Sequence, residues 1–265
     1  MTPKFVLLWT DAVLWLLVAT LAWYGWHVRR NPNLRDTWGK VFADAPSLCS
    51  ALVIALFLIV TLLDSVHYRR ALPPSASATA GAVAYDTRTS SLLDAVLAGL
   101  VQSREASYSV PLATVGFTKE TRDVGGQPAR VFPRLVHGGA HLKDPATEWR
   151  NDLLFRTSLG IVTGLVIAAL AALLMARSHG RAQQIGMREA LARIARNRTR
   201  MPLRAALLTL AVIAVLAGIA GSLMFAYHLL GTDRTGNDVF YQALKSVRTA
   251  FVIGTLATLA TLPFA

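Results

Sequence analysis

Two histidines come first among the residues whose types and spacing could do chemistry. His137 and His141 are four positions apart, the spacing at which two metal ligands lie on one face of a helix. However, Gly138 and Gly139 lie between them and disfavour a helix, and no cysteine or second histidine pair nearby completes a ligand set. We therefore predict no metal site and no metal cofactor at these histidines.

Two carboxylates are the second candidates, because Asp11 and Asp64 lie within or beside long apolar runs. A carboxylate inside a membrane is costly and by default indicates a functional site. Both fall near the outer ends of predicted membrane helices, where water is close and the cost is lower. The alternative interpretation is that they are solvated at the interface or pair two helices.

Signatures of enzyme catalysis do not occur in the sequence. It has no glycine-rich phosphate-binding loop with a lysine, no nucleophile elbow and no zincin motif. The single cysteine, Cys49, excludes a disulfide within the chain and a cysteine-based metal site. We predict that the chain is not an enzyme and that it binds no cofactor.

The composition indicates a membrane protein. Hydrophobic residues make up 54% of the 265 residues and charged residues only 16%, a more apolar balance than a soluble domain has. The net charge of +12 lies largely in two short segments that flank apolar runs, which predicts contact with membrane lipid and not with nucleic acid. Five apolar runs stand out, at 5–26, 47–66, 157–176, 205–230 and 250–265.

Length distinguishes the fifth run from the other four. About 20 helical residues cross a hydrocarbon core, and the first four runs reach that length. The run from Ala250 has 16 residues, and no lysine or arginine follows it. We therefore expect an incomplete last helix and a chain that continues beyond Ala265. The competing interpretation is a short protein whose last helix is tilted and partly inserted.

The distribution of arginine and lysine predicts the topology. Segments 27–46 and 177–204 are rich in basic residues, and by the positive-inside rule both are cytoplasmic. Two crossings separate them, so the two assignments agree in parity. The N-terminus and the long segment 67–156 then lie outside. The first run contains Asp11 and is followed by arginines instead of a cleavage site, so we interpret it as a retained helix and not as a signal peptide.

We predict that segment 67–156 forms a small α+β domain outside the membrane. It opens with a loop at 71–81 and continues with a short helix capped by Ser90 or Ser91. Residues 107–118 alternate weakly and predict an edge strand, since a proline within them excludes a central one. "DVGGQP" and "HGGAH" predict turns. The apolar side of the short helix comprises Leu92, Leu93, Val96, Leu97 and Leu100.

The second basic segment contains an amphipathic stretch at 183–198. We predict a helix that lies at the inner membrane interface with its arginines near anionic lipid. The alternative is a cytoplasmic loop that is merely basic.

Small residues recur at every fourth position in the fourth run, at Ala214, Gly218, Ser222 and Ala226. Such a stripe lets another helix approach closely. We predict that Gly218 and Ser222 pack against a partner helix of this chain or of another one.

The stretch that begins "GTDRTGND" reads as a polar turn at the outer face, followed by an amphipathic helix. Gly231 and Gly236 permit turn conformations that other residues resist. The polar side chains that can bond backbone amides and cap the helix are Thr232, Asp233, Thr235, Asn237 and Asp238. Lys245 and Arg248 on the helix can reach the interface. By physical chemistry alone, this is a structural device and not a catalytic site.

The order of these residues resembles a motif in the C-type permease subunits of the oligopeptide, dipeptide and nickel ABC importers. The matching positions are Gly231, Thr232, Asp233, Gly236, Asp238, Val239 and Arg248. The last run resembles the second helix of that family, and the second basic segment with the fourth run resembles its elbow and first helix. The resemblance covers 183–265, about a third of the chain. Asn237 stands where the family usually has arginine, and the family core lacks the preceding helices and outer domain.

The resemblance implies a multi-pass permease of the bacterial inner membrane that does no covalent chemistry itself. A second permease subunit would complete the pathway, two cytoplasmic ABC ATPases would supply the motion, and an extracytoplasmic substrate-binding protein would deliver peptides or similar small solutes. Transport would proceed by alternating access. A different interpretation is a membrane-anchored sensor or scaffold, in which residues 86–150 bind a ligand or protein outside the membrane.

The predicted fold class is mainly α, a polytopic helical membrane protein with about five membrane helices and a small α+β domain outside. Four parts follow along the chain. Residues 1–66 hold two membrane helices joined by a cytoplasmic loop, and 67–156 form the outer domain. Residues 157–182 hold the third helix and the start of the basic segment, and 183–265 the start of the permease core, with its elbow, helix, turn and partial last helix.

Overall fold

Helices dominate the protein. A computed structural model describes residues 4–71 and 85–264, so the predicted loop at 71–81 lies, after its first residue, outside the described residues. Nine α-helices lie within the described ranges: α1 (Trp9–Arg30), α2 (Pro32–Val41), α3 (Ala45–Ser65), α4 (Leu92–Val96), α5 (Ala98–Gln102), α6 (Pro145–Gln183), α7 (Met187–Ala195), α8 (Leu203–Leu223) and α9 (Val239–Thr261). A 3₁₀ turn, Leu262–Phe264, follows α9.

Short strands form two small antiparallel sheets in the described part of the chain. The strands are β1 (Lys4–Val6), β2 (His67–Arg69), β3 (Ser90–Ser91), β4 (Glu120–Val124) and β5 (Gln127–Val131). In the first sheet, β2 lies between the other two, and His67 pairs with Val6 on one side and Ser91 on the other. β4 and β5 form a hairpin whose turn residues Gly125 and Gly126 have φ angles of 66° and 86°, which glycine adopts without strain. The turn predicted at "DVGGQP" is confirmed.

Four helices are long and apolar enough to cross a membrane, within the residues that the structure describes. They are α3, α6, α8 and α9, with 21, 39, 21 and 23 residues. α6 extends well beyond the predicted run because it has its own start signal. The Asp144 side chain accepts a hydrogen bond from the backbone N–H of Ala146 at 3.1 Å, and Pro145 occupies the first helical position.

The first and last predicted crossings differ from expectation. α1 has 22 residues, but Asp11 and its aromatic residues leave it less apolar than the four spans, so it is not among them. α9 is not too short, because its amphipathic beginning and the final apolar run form one continuous helix of 23 residues from Val239. The predicted shortfall in length is therefore wrong.

The chain forms two compact units. The first comprises Met1–Arg35, Ile54–Ala98 and Tyr241–Ala265. Within it, β1 leads into α1 and α3 leads into β2. The pairing of β1 with β2 therefore brings the beginning of α1 beside the end of α3. β1 was not predicted, since three residues are too few for a periodic signal.

The second unit comprises Asp36–Val53 and Gly99–Phe240, and α6 packs antiparallel on α8 within it. The contact runs along glycines. A Cβ atom added to Gly160 or Gly164 would lie 2.6 or 2.5 Å from backbone atoms of α8, and one added to Gly218 would clash with the Gly160 carbonyl. The partner of the small-residue stripe is thus α6 of the same chain. Ser222 lies one turn further along α8 and is half-buried.

Segment 67–156 contains helices as well as strands, and its short helix begins as predicted. The Ser91 hydroxyl accepts from the backbone N–H of Asp94 at 3.1 Å, and the Ser91 N–H donates to the Asp94 carboxylate at 2.9 Å. These two bonds form a capping box. Leu93, Leu97 and Leu100 are buried. The other two members of the predicted apolar side, Leu92 and Val96, are 40% and 60% exposed, so the prediction is wrong for them.

The strand predicted at 107–118 does not form. Leu112 has a φ angle of 56°, which an extended chain cannot adopt, and it directly follows Pro111. Isolated bridges remain at Ser109 and Val115. The turn predicted at "HGGAH" is confirmed, with Gly139 at a φ angle of 67°.

α7 confirms an amphipathic helix in the second basic segment, although it is shorter than the predicted 183–198. α6 ends at Gln183, and Gln184 adopts a left-handed φ angle of 56°, so the chain turns before α7 begins. Ala190 and Ile194 of α7 are buried against Ala176 of α6. Apolar packing therefore holds α7 against α6.

Candidate functional site

The closing turn, residues 231–238, is in close backbone contact with the segment that contains Glu105 and Ser109. Gly231 and Gly236 have φ angles of 77° and 80°, and a Cβ atom on either one would clash with the backbone of this segment. Both a left-handed conformation and a close backbone approach therefore require glycine at these two positions.

Asp233 organises the hydrogen bonds inside the turn. Its Oδ1 accepts from the backbone N–H of Thr235 at 2.8 Å and from that of Asn237 at 2.9 Å. The Asn237 side-chain amide donates to Asp233 Oδ2 at 3.3 Å and to the Thr235 hydroxyl at 2.7 Å. Asn237, the departure from the resembled motif, thus supports the turn through its own side chain.

Thr232 anchors the turn to the neighbouring segment. The residue is fully buried. Its hydroxyl donates to the Ser107 carbonyl at 2.9 Å and lies 3.0 Å from the Ser109 hydroxyl, while its backbone N–H donates to the Ser109 carbonyl at 3.2 Å. The hydroxyl and the backbone N–H of Thr232 are therefore satisfied by another part of the fold, as buried polar groups usually are.

Asp238 reaches beyond the turn to a buried histidine. His228 Nδ1 is 2.8 Å from Asp238 Oδ2, and His228 Nε2 is 3.3 Å from Glu105 Oε1. All three side chains are at most 3% exposed. The Glu105 carboxylate also accepts from the backbone N–H groups of residues 136–138, at 2.8, 2.7 and 3.1 Å. We call these three side chains, Glu105, His228 and Asp238, the buried triad.

The buried triad shifts the protonation of its members. Burial alone would lower the pKa of His228, but Asp238 and then Glu105 outweigh burial and raise this pKa. Burial alone would raise the pKa of Glu105, but the three backbone N–H groups and His228 outweigh it and lower this pKa. Both shifts favour an imidazolium between two carboxylates.

The arrangement of the buried triad suits a structural role and not catalysis. Each histidine nitrogen faces a carboxylate, so neither is free to act as a general base. The triad joins the turn before α9 to the loop that holds Glu105 and to the residues after α8. It therefore fixes the geometry of three chain segments at one point.

The first unit has a separate polar cluster around Asp11, which is fully buried. Asp11 accepts from the Ser65 hydroxyl at 3.1 Å, pairs with His67 Nδ1 at 2.9 Å and binds the Arg248 guanidinium. The β1–β2 pairing explains why the first two partners meet Asp11, since Ser65 ends α3 and His67 begins β2. Asp11 thus pairs helices and is not solvated at an interface.

Arg248 contacts both carboxylates that the sequence places within or beside apolar runs. Its Nη1 is 3.7 Å from Asp64 Oδ2, in addition to its contact with Asp11. Asp64 is 1% exposed, and its Oδ1 has no hydrogen-bond partner among the described residues. The structure therefore brings Asp11, Asp64 and Arg248 together, although nothing in the sequence connects Arg248 with the two carboxylates.

A second ion pair in the first unit lies one helical turn earlier on α9. The Lys245 ammonium is 2.8 Å from Asp94 Oδ1, and the Tyr241 hydroxyl donates to the same oxygen at 2.7 Å. Burial alone would raise the pKa of Asp94, but the bonds from Lys245, from the Ser91 backbone and from Tyr241 outweigh it and lower this pKa. Lys245, which the sequence analysis expects to reach the interface, is bound to the capping box of α4.

The two histidines of the sequence analysis do not act as a pair. His141 Nε2 is 2.9 Å from Asp152, which also accepts from the Tyr227 hydroxyl at 2.7 Å. His137 instead lines a cavity of about 260 Å³ beside His228. Among the described residues, no three His, Cys, Asp or Glu side chains are placed to hold a metal ion.

Comparison with known proteins yields no match, whether this chain is tested against protein-family models, curated proteins or solved structures.

Sequence reasoning did not identify Glu105, His228 and His67 as site residues. A histidine within an apolar run, as His228 is, carries the same cost argument as an intramembrane carboxylate and could have been singled out. Glu105 has no local signal, because its partners are three backbone amides and a side chain 123 positions away.

Proposed function

We propose that this chain acts as a permease subunit of an ATP-driven importer for peptides or similar small solutes. The observation that supports this most is the construction of the closing turn. Four of the seven positions that match the permease motif are buried, namely Gly231, Thr232, Gly236 and Asp238. The two glycines and Thr232 therefore serve the turn structure that the resemblance implies.

The order of elements around the turn supports the same proposal. A basic amphipathic helix, α7, precedes a candidate span, α8, and the turn leads into a second candidate span, α9. This is the order of elbow, first helix, turn and second helix in the resembled permeases. In this proposal, α7 lies on the cytoplasmic side, and the turn and residues 67–156 lie outside the bacterial inner membrane.

The N-terminal helices have a role of their own in the proposed transporter. Arg248 of α9 is held by Asp11 of α1 and by Asp64 of α3. In this proposal, α1 and α3 stabilise the position of α9. α9 is the helix that would move during an alternating-access cycle. The partners of the chain are then a second permease subunit, two cytoplasmic ATPases and an extracytoplasmic binding protein.

Purification and transport test the proposal together. The protein is produced with an affinity tag in its own cells, extracted in mild detergent and reconstituted in proteoliposomes. We expect an ABC ATPase to co-purify and labelled peptides to be taken up only with ATP. Asp238→Asn should abolish uptake while the isolated ATPase keeps its basal activity, and Arg234→Ala, at an exposed position of the same turn, should leave uptake unchanged.

Two outcomes would contradict the permease. One is a stable protein without an ATPase and without ATP-dependent uptake. The other is equal uptake by Asp238→Asn and by the parent protein at equal yield. If no ATPase is found but the outer segment binds a ligand or protein, the membrane-anchored sensor or scaffold becomes the better assignment.

A further inference from the structure

The backbone of the arginine-rich turn after α7 has a defined conformation. Asn197 has a left-handed φ angle of 53°. The N–H of Arg198 donates to the carbonyl of Arg193 at 2.8 Å, and the N–H of Asn197 donates to the carbonyl of Ile194 at 3.0 Å. These two bonds form a Schellman motif, which fixes the path of the chain just beyond the helix.

A cavity of about 420 Å³ opens at this turn, and Glu189, Ala192, Arg193, Arg196 and Arg198 line it. Glu189 is bound to Arg193 at 2.6 Å. Arg196 and Arg198 are exposed, and neither side chain has an ion pair with the described residues. The cavity therefore carries an excess of two positive charges that the described part of the chain does not neutralise.

The sequence offers these arginines no other carboxylate nearby. Between Arg177 and Arg204, Glu189 is the only acidic residue, against eight arginines. Arg196 and Arg198 are therefore available to bind an anion from outside the chain. Guanidinium groups bind phosphate oxygens through paired hydrogen bonds, so phosphate is the anion that this lining suits best.

The position of the cavity identifies the source of the phosphate. α7 connects to candidate membrane spans on both sides, through short links to α6 and α8. Its apolar face is packed on those helices through Ala190 and Ile194, which leaves the arginine-lined face open. The cavity itself lies on α7 and the turn after it. Since α6 and α8 are candidate spans, a basic cavity on the short segment that joins them suits lipid headgroups at the end of the two spans.

We propose that Arg193, Arg196 and Arg198 form a binding site for the headgroup phosphate of an anionic phospholipid. The site is independent of the transport proposal, because it needs only the α7 turn and its two flanking helices. Glu189 keeps Arg193 in place, and Arg196 and Arg198 supply the free charges. Bound lipid would fasten the α7 turn to the membrane surface.

Lipid binding by the purified full chain tests this site. Fluorescent phosphatidylglycerol is titrated into the protein in neutral detergent micelles, with phosphatidylcholine as the reference lipid. We expect Arg196→Gln with Arg198→Gln to weaken phosphatidylglycerol binding by roughly 25-fold, at about fivefold for each arginine near an anionic surface. Both side chains are exposed, so the variant should retain its unfolding temperature.

The matched control is Arg200→Gln with Arg204→Gln, which removes the same charge from the same segment at exposed positions outside the cavity. It should weaken binding much less than the first variant. Equal weakening by both pairs would overturn the site in favour of a general charge effect. Inorganic phosphate is added as a competitor, and displacement of the lipid at millimolar phosphate would overturn the lipid as the source.

Discussion

His228 lies between two carboxylates, with Nδ1 2.8 Å from Asp238 and Nε2 3.3 Å from Glu105, and nearly all of its side chain is buried. A histidine that donates from both ring nitrogens carries a positive charge, and this charge holds two carboxylates that would otherwise repel each other. The local stability of the turn before α9 therefore depends on pH.

The first prediction is the direction of that dependence. Because the pKa of His228 is raised, the contribution of this residue to the free energy of unfolding is complete below its ordinary pKa of 6.5. That contribution is lost as the pH rises through the pKa in the folded protein. Because the pKa of Glu105 is lowered, the contribution of this residue to the free energy of unfolding is complete above its ordinary pKa of 4.5. That contribution is lost as the pH falls through the pKa in the folded protein. For these two groups, stability should be greatest between those two ordinary values.

The unfolding temperature of the detergent-solubilised protein across this pH range measures the effect. His228→Gln should remove the loss of stability on the alkaline side. His27→Gln, at an exposed position on α1, serves as the control and should keep it. The same alkaline loss in His228→Gln would show that other groups cause it.

The second prediction ranks the carboxylates around the turn. Glu105→Gln removes a buried negative charge and leaves His228 with one carboxylate partner. It should therefore lower the free energy of unfolding by about 3–5 kcal/mol. Asp233→Ala removes bonds within a more accessible turn and should cost about 0.5–2 kcal/mol. Denaturant titration of both variants compares the two values. A larger loss for Asp233→Ala would contradict the central role of the buried triad.

The third prediction concerns the glycine contact of α6 and α8. Gly218→Ala adds a Cβ that would meet the Gly160 carbonyl, so the helices must separate, at a cost of about 1–3 kcal/mol. Gly221→Ala is the matched control on the same helix, since its Cβ would have no atom within 4 Å. The control should be neutral or gain up to about 1 kcal/mol from helix propensity. Equal effects on thermal unfolding would exclude close packing as the cause.

The fourth prediction is the topology that the basic segments imply. Reporter domains fused at Lys40 and Arg198 should be active only when the reporter works in the cytoplasm. A fusion at Gly126, in the exposed turn of the β4–β5 hairpin, should be active only as an external reporter. Cytoplasmic activity at Gly126 would contradict the assignment of residues 67–156 to the outside.

Local signals in the sequence predicted local structure well. Long apolar runs became helices, Ser91 became a cap and Gly125 became part of a turn, because each depends on neighbours within a few positions. The start of α6 was missed, although Asp144 followed by proline is a helix signal.

Long-range partners could not be predicted in the same way. Asp11 and Arg248 are 237 positions apart, and only the packing of the helices decides that they meet. The resemblance to a permease drew attention to Arg248 and to the closing turn but said nothing about what they contact. The carboxylates that hold Arg248 lie in the part of the chain that the resemblance does not cover.

The last prediction tests whether Arg248 binds the N-terminal helices. Arg248→Met leaves Asp11 buried without its guanidinium partner, which should cost about 3–5 kcal/mol, since an uncompensated buried charge is expensive. Adding Asp11→Asn removes that charge, so the double variant should be more stable than the sum of the single effects predicts, by about 0.5–3 kcal/mol. Arg29→Met, at an exposed position on α1, controls for the loss of an arginine. Unfolding in mixed micelles measures all four variants, and strictly additive effects would mean that Asp11 and Arg248 do not interact.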